Sequence, residues 1–480
     1  MSVYQPRDRA EYFDKRPRGD GEIVHQPDAY ELAAFLAVKY GADTIIHIGC
    51  GSGQKTRIDF GLNLESCSQR FQAVTWIPAD LEMAHKINIP EVILRRSIVI
   101  CADVIQHLLD PRGLLTLLGD LSRLVHAVII TTPERDLVRG EHHVALPPNP
   151  AHVQEWNLDE FLSLLEGAGL SVAFAGLTVN SSISREKKTI IAVIDRLVAS
   201  IVEIPPDEFR PVAIFATFND GEIIVETTAK MLDDGIDVRV LDNWSQDGTF
   251  ETLQSLSRYR PGLAVERFPS DQAMGFNWAA TLDRKAEIAV TYPDRWIVHH
   301  DSDEIRCAPW PRKSFRSGLW IADRCGFNAI DFTVIDFRPI SASFVSGCKL
   351  EQTLTMFEFG KRPGHFLQTK VWKQGDRRVS LSKGGGHDVQ FNGRKVFPYK
   401  FLLKHYPLRS PEHARKKIFA ERLPRYAPEL KSSGWHSHYD RYSQEEEFIW
   451  KPEGLIEFQE PVVWRDYLLE FISGIGIAHE

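Results

Sequence analysis

Two α/β domains in tandem are the architecture this sequence predicts, and three observations carry the prediction. At 480 residues the chain exceeds what one ordinary hydrophobic core supports. Buried apolar runs alternate with helical patterns from Pro27 onward, as they do in parallel sheets. That alternation breaks at Ile204-Pro205-Pro206-Asp207 and starts again at Val212. The boundaries that follow are 1–203 for the first domain, 204–209 for a linker, 210–442 for the second domain and 443–480 for a C-terminal tail of no assigned role. The tail is aromatic and acidic. Its apolar residues Trp450, Trp464, Leu468 and Phe471 offer a domain interface or a partner surface.

In the first domain, Pro27 to Tyr40 reads as a helix. Pro27 suits a first turn, Leu32, Phe35 and Leu36 make one stripe, and Gly41 can stop it. A buried strand follows at Thr44 to Ile48 and runs into Gly49-Cys50-Gly51-Ser52-Gly53. Further strands are expected at Val74 to Pro78, Ser97 to Ala102 and Ala127 to Thr131. Between the last two lies a helix capped by Asp110 and opened by Pro111, with Leu114, Leu117, Leu118, Leu121 and Leu124 at helical spacing. Asn157 and Glu160 form a capping box for another helix. Leu170 to Thr178 and Thr189 to Ile194 read as an antiparallel pair at the sheet edge.

The second domain repeats the pattern. Val212 to Thr217 is a strand, Gly221 to Asp234 a helix ended by Gly235, and Val238 to Leu241 and Trp296 to His300 are strands. Such a restart signals a second nucleotide-binding-type fold.

Bulk properties exclude several classes. The net charge of -8 argues against a nucleic-acid binder, which needs clustered Lys and Arg to neutralise phosphates. The basic run Arg415 to Lys417 reads as a solvated helix face. Six cysteines, Cys50, Cys67, Cys101, Cys307, Cys325 and Cys348, contain no CxxC pair and read as reduced core residues. The polar N-terminus lacks the apolar stretch of a signal peptide, and no apolar run approaches the ~20 residues of a membrane span. A cytoplasmic protein is expected, with peripheral membrane contact left open.

A glycine-rich turn leaving a parallel strand lets a ligand approach the backbone closely. The dinucleotide pattern would need glycine where Gln54 stands. The GxGxG pattern present, after IIHIG, resembles the first motif of class I S-adenosylmethionine-dependent methyltransferases, the Rossmann-like methyltransferase fold. Ala102-Asp103-Val104-Ile105-Gln106-His107-Leu108 with Asp110-Pro111 is similar to the motif at the fourth strand of that superfamily. PPNPAHVQEWNLDEFLSLLEGAGL resembles the segment after its fifth strand. The resemblance covers about residues 27 to 195. It implies that Gly49, Gly51 and Gly53 pass under the methionine and ribose of S-adenosyl-L-methionine, with Asp103 in the same binding set. An acidic residue after the second strand would hold the ribose. His47 stands where an acidic residue is usual before the loop. Gln54 to Arg57 is too short for a helix and a strand ahead of Ile58-Asp59-Phe60-Gly61. Either that helix is absent and Asp59 holds the ribose, or Gln54 to Phe71 is the helix and Asp80 does. His107 is a candidate base, against a plain helix-surface role.

Arg295-Trp296-Ile297-Val298-His299-His300-Asp301-Ser302-Asp303-Glu304 is the strongest signal. A hydrophobic strand delivers Asp301 and Asp303 to its carboxyl end, and alternate residues of an extended chain face one side, towards one cation. Hard oxygen ligands suit Mg2+ or Mn2+. Phe218-Asn219-Asp220-Gly221 and Asp242-Asn243-Trp244-Ser245-Gln246-Asp247-Gly248-Thr249 precede it. Together they resemble the strand ends of family 2-type glycosyltransferases with the GT-A fold, over about Arg210 to Tyr439. By that resemblance, Asn219, Asp242, Asp301 and Asp303 bind the nucleotide sugar, and Asp301 and Asp303 the metal. His405, in a segment similar to HYxxRS, or His387 completes the metal shell, and Asp388 is the general base.

The expected activity is transfer of a sugar from a nucleotide-sugar donor to a glycan or lipid-linked glycan acceptor, with inversion. A methyltransferase domain would modify the same product. The alternatives are a first domain that only docks, or a non-catalytic assembly protein. Asp303→Asn is expected to abolish metal-dependent transfer and leave the fold intact.

Overall fold

The computed structural model describes residues 6, 24–49, 81, 88–141, 143, 145–199, 204–272, 276–344, 348–360, 368–425 and 442–478. Gly51, Gly53, Asp59, Asp80, the segments Gln54 to Phe71 and Val74 to Pro78, and Cys50 and Cys67 therefore lie outside the described residues. The chain is α/β, with one mixed sheet in each of two compact units. One unit comprises Met1–Glu203 with Pro461–Gly476, the other Ile204–Glu460 with Ile477–Glu480.

In the first unit, α1 (Pro27–Tyr40) precedes β1 (Thr44–His47), and Gly41 ends the helix at a left-handed φ of 68°. Then come β2 (Ser97–Ala102), α2 (Arg112–Ser122), β3 (Ala127–Pro133), α3 (Leu158–Gly167), β4 (Val172–Val179) and β5 (Lys187–Asp195). The sheet runs β1-β2-β3-β5-β4, with β1, β2 and β3 parallel and the last pair antiparallel. β2 is buried at every position, as expected of a strand covered on both faces. Asn157 and Glu160 make the capping box of α3. Asp110 accepts the amide of Arg112, while α2 begins one residue after Pro111. Leu114, Leu117, Leu118 and Leu121 pack with Phe161 and Leu165 in one core.

The C-terminal segment completes this unit. Trp464, Leu468 and Phe471 are buried, so these residues are core, not a partner surface. A Cβ at Gly176 of β4 would lie 2.6 Å from the Arg465 carbonyl and 2.9 Å from Leu468 Cβ. Lys187 of β5 reaches Glu470 at 2.5 Å and also binds the Asp466 carbonyl. The remainder of the tail stays with the second unit, where Phe448 and Trp450 pack with Leu408 and Ile418.

The second unit holds β6 (Val212–Thr217), α4 (Gly221–Asp233), β7 (Asp237–Asp242), α5 (Thr249–Ser257), β8 (Leu263–Arg267), α6 (Trp278–Val290), β9 (Trp296–Asp301) and β10 (Glu304–Cys307). After α7 (Phe315–Arg324) come β11 (Ala329–Phe337), β12 (Met356–Phe359), β13 (Gln368–Lys373), β14 (Phe401–His405) and β15 (Ile456–Glu457). The main order is β10-β14-β11-β13-β9-β6-β7-β8, with β12 and β15 paired beyond β11. β9, β6, β7 and β8 are parallel. The register sets Ala216 beside Asp301, and Thr217 beside Asp242. The residues with chemistry therefore collect at one carboxyl edge.

Two sequence expectations are corrected. Of the described cysteines only Cys101 is core; Cys307, Cys325 and Cys348 are partly exposed. The run Arg415 to Lys417 is not a uniformly solvated face, because Lys417 is buried and turned towards Asp303. Among the described residues, no helix is long and apolar enough to cross a membrane.

Candidate functional site

The edge of the second sheet is built from turns that the sequence dictates locally. β9 stops at Asp301, Ser302 and Asp303 form a turn, and β10 opens at Glu304. The expectation of two alternate residues on one extended strand is thus corrected. Asp301 Oδ2 lies 2.9 Å from Lys370 Nζ, whereas Asp303 Oδ2 lies 2.7 Å from Lys417 Nζ. Each carboxylate has its own lysine. Burial pushes both carboxyls up, but Lys370 for Asp301 and Lys417 for Asp303 hold them well below the usual carboxylate range.

His405, at the end of β14, has Nε2 3.8 Å from Asp303 Oδ2. Its Nδ1 lies 2.7 Å from Asp336, a carboxylate that can only accept, so the hydrogen sits on Nδ1 and Nε2 points to the aspartate. Burial lowers the His405 pKa, yet the Asp336 bond and the Asp303 charge leave it raised overall. His387 is instead exposed on a bend, and among the described residues no group of three ligand atoms joins either it or His405 to both Asp301 and Asp303. Asp388 pairs by its backbone with Thr369, the neighbour of Lys370. Its carboxylate is held by Arg394 at 2.5 Å and Gln390 at 3.0 Å. Against the opposing effect of burial, these contacts lower its pKa and make it a weaker base than the sequence suggests.

The loops 218–221 and 242–249 interlock. Asp247 accepts the amides of Thr249 and Gly221, and Asn219, at φ 53°, accepts the amide of Gln246 and donates to Glu421. Asp242 is fully buried. One of its oxygens accepts from Arg267 at 2.9 Å and from the Ser245 amide, and Oδ2 has no hydrogen-bond partner among the described residues. Burial is the main reason its pKa is raised. Arg267 in turn lies over the Trp244 and Phe250 rings, at 4.9 and 4.1 Å.

Several residues of this edge escaped the sequence reading. Glu304 accepts from Lys370 and Arg306, both at 2.6 Å. Asp220 accepts from Ser302 at 2.5 Å. Arg409 is wholly buried, its Nη2 lies 3.5 Å from Asp220 and 3.4 Å from Glu222, and its Nε and Nη1 have no partner among the described residues. The helical spacing of Ala414, Lys417 and Ile418 was the signal that Lys417 faces inward. Behind the edge, Lys285 Nζ lies 2.9 Å from both His299 Nδ1 and the His300 carbonyl, and burial pushes its pKa down to about 7. Burial also holds both histidines well below their usual range, hence neutral.

At the carboxyl edge of the first sheet, Gly49 has φ 74°, and a Cβ there would meet Val104 Cγ2 at 2.3 Å. Only glycine fits that turn. His47 lies 3.2 Å from the Tyr30 hydroxyl. Asp103 follows β2 at φ 62°, and His107 closes a single 3-10 turn, Ile105–His107, and is not on a helix surface.

No family model matches the chain, and no curated protein matches it. Among solved structures, the chain is similar to a mannosyltransferase from Pyrobaculum calidifontis in complex with GDP-Man and Mn2+. That match has 20% identity and a TM-score of 0.20, and covers 29% of this chain and 38% of that one, well under two thirds of the mannosyltransferase. It is also similar to a putative methyltransferase complexed with the Trm112 activator of Haloferax volcanii, at 12% identity and TM-score 0.24, over 36% of this chain and 91% of that one. A third is a SAM-dependent methyltransferase, a possible histamine N-methyltransferase, from Thermotoga maritima, at 12% identity and TM-score 0.21, over 35% and 95%. At these values the likenesses decide neither activity nor ligand, which rest on the chain's own side chains.

Proposed function

We propose that the second unit is a metal-dependent glycosyltransferase that moves a sugar from a nucleotide-sugar donor to a glycan or lipid-linked glycan acceptor. One observation carries the reading. At the carboxyl edge of parallel strands, Asp303 lies between the Lys417 ammonium at 2.7 Å and the His405 imidazole at 3.8 Å. Carboxylate and imidazole donors suit Mn2+, and the Asp336 bond that orients His405 is the outer-shell contact such a ligand has. Asp303, His405 and the partly exposed Asp301 would hold the ion. When bound, it would supply positive charge to the diphosphate.

The chain's own groups do the rest. Lys417 can pass from Asp303 to a phosphate oxygen, so the edge stays neutralised with or without donor. Asp242 and Asn219 line the nucleoside side, where the unpartnered Asp242 Oδ2 is an acceptor awaiting a donor. Asp388 is the proposed base, and its ion pair with Arg394 must open before it takes the acceptor's proton.

In the first unit, the side-chain-free turn at Gly49 supports binding of S-adenosyl-L-methionine, with methyl transfer to the same product. The test is a donor screen with Mn2+, reading nucleoside diphosphate release. Release that disappears in Asp301→Asn supports the assignment, and no release from any donor overturns it. Calorimetric titration of the full chain with S-adenosyl-L-methionine tests the first unit, where absence of heat removes the cofactor.

A further inference from the structure

Asp103, His107 and His152 form a cluster that the sugar-transfer chemistry does not use. Their ligand atoms all lie within 4.8 Å of one another, the one group of three metal-binding side chains found among the described residues. The two rings stand edge to face, with centroids 5.0 Å apart.

What distinguishes the cluster is how each imidazole is held from behind. His107 Nδ1 lies 2.6 Å from the Ala151 carbonyl, and His152 Nδ1 lies 2.6 Å from Glu155 Oε1. Both partners only accept, so both hydrogens sit on Nδ1 and both Nε2 atoms carry lone pairs. Glu155 is itself fully buried and fixed by Arg139 at 3.0 Å, and His152 is nine-tenths buried. An imidazole whose Nδ1–H is bound by a carboxylate or backbone carbonyl is the outer-shell arrangement of metal-ligating histidines.

Among the described residues, amide nitrogens meet these inner atoms. Asn149 Nδ2 lies 2.9 Å from His152 Nε2, and Gln106 Nε2 lies 3.4 Å from His107 Nε2. Gln106 Nε2 also donates to Asp103 Oδ1 at 2.6 Å, and Gln26 Nε2 to the same oxygen at 3.4 Å. Three electron-pair donors from two stretches of chain, Asp103 with His107, and His152, thus face one another and are served by neutral N–H groups, which a cation replaces at the ~2.0–2.2 Å of nitrogen and carboxylate ligation. The left-handed backbone of Asp103 turns that residue out of the strand line at the edge where open sheets bind ligands.

We infer that Asp103, His107 and His152 form a site for a divalent first-row transition ion in the first unit. Two nitrogens and one oxygen suit Zn2+, Co2+, Mn2+ or Fe2+ better than Ca2+, which takes oxygen ligands. Three protein ligands leave positions open for a substrate hydroxyl or a water, whose pKa the ion lowers.

The test uses the full chain with Co2+ and Zn2+. Equilibrium dialysis is expected to show a bound ion that His107→Gln and His152→Gln each remove and that His405→Gln retains, which separates it from the second unit. Glu155→Gln is expected to weaken binding by about 10- to 100-fold. Should the variants misfold, the unmodified chain is treated with diethyl pyrocarbonate and its peptides are weighed. Zn2+ should protect His107 and His152 together. Wild-type protein that binds neither ion, or histidines modified equally with and without Zn2+, overturns the inference.

Discussion

Lys417 sets its Nζ 2.7 Å from Oδ2 of Asp303, in an ion pair whose side chains are 5% and 12% exposed. Removing one partner of such a pair strands a buried charge, at about 3–5 kcal/mol, whereas replacing both can be nearly neutral. Asp303→Asn is therefore expected to lower stability as well as abolish transfer, which amends the sequence expectation of an intact fold. Asp303→Asn with Lys417→Met should recover the stability and not the activity. Urea denaturation beside nucleoside diphosphate release separates the two effects. Equal stability of the single variant and wild type would refute the buried pair.

Gly49→Ala should destabilise the first unit by roughly 2–5 kcal/mol, through the left-handed backbone and the collision with Val104. The variant Gly41→Ala is the control. It shares the left-handed φ but has nothing within 4 Å of the added carbon, so its loss should be smaller, about 1–2 kcal/mol. Denaturant midpoints rank the two, and the reverse order would contradict the close approach.

Lys285 gives the second unit a pH dependence with a definite sign. Burial lowers its folded pKa to about 7, below the ordinary lysine range. Between those values the unfolded chain binds the extra proton, so the cost of burying the charge is full below pH ~7 and relieved as pH rises. Wild type should gain on Lys285→Met between about pH 7 and pH 10 in chemical denaturation. A difference that stays flat with pH would exclude a neutral buried amine.

Gly176→Ala should loosen the C-terminal segment, helical over Glu460–Asp466 and Leu468–Ser473, from β4, because the added carbon meets the Arg465 carbonyl and Leu468. Limited proteolysis should then cut near Arg465 in the variant, with wild type resistant. Unchanged cleavage would mean that the segment adapts.

Much of this was legible because its signals are local. The glycine stops, the Asn157 and Glu160 capping box and the strand that ends at Asp301 each announce themselves within a few residues. What the sequence hid is pairing at a distance. Lys370 and Lys417 stand 69 and 114 positions from the aspartates they neutralise, and no periodicity links such residues. Asp301 and Asp303 looked equivalent because spacing alone implies an extended chain. The turn at Ser302, tied to Asp220, separates their surroundings. His152 passed unnoticed because a histidine acquires meaning only from what its two nitrogens touch.

The return of Pro461–Gly476 to the first sheet makes the second unit an insertion in the first along the chain. On the ribosome, β4 is synthesised long before the helix that covers it. All of the inserted unit but Ile477–Glu480 emerges in between. The unit begun first thus waits for the last residues but four, and a chain stopped anywhere short of Leu468 would carry β4 with its apolar cover missing.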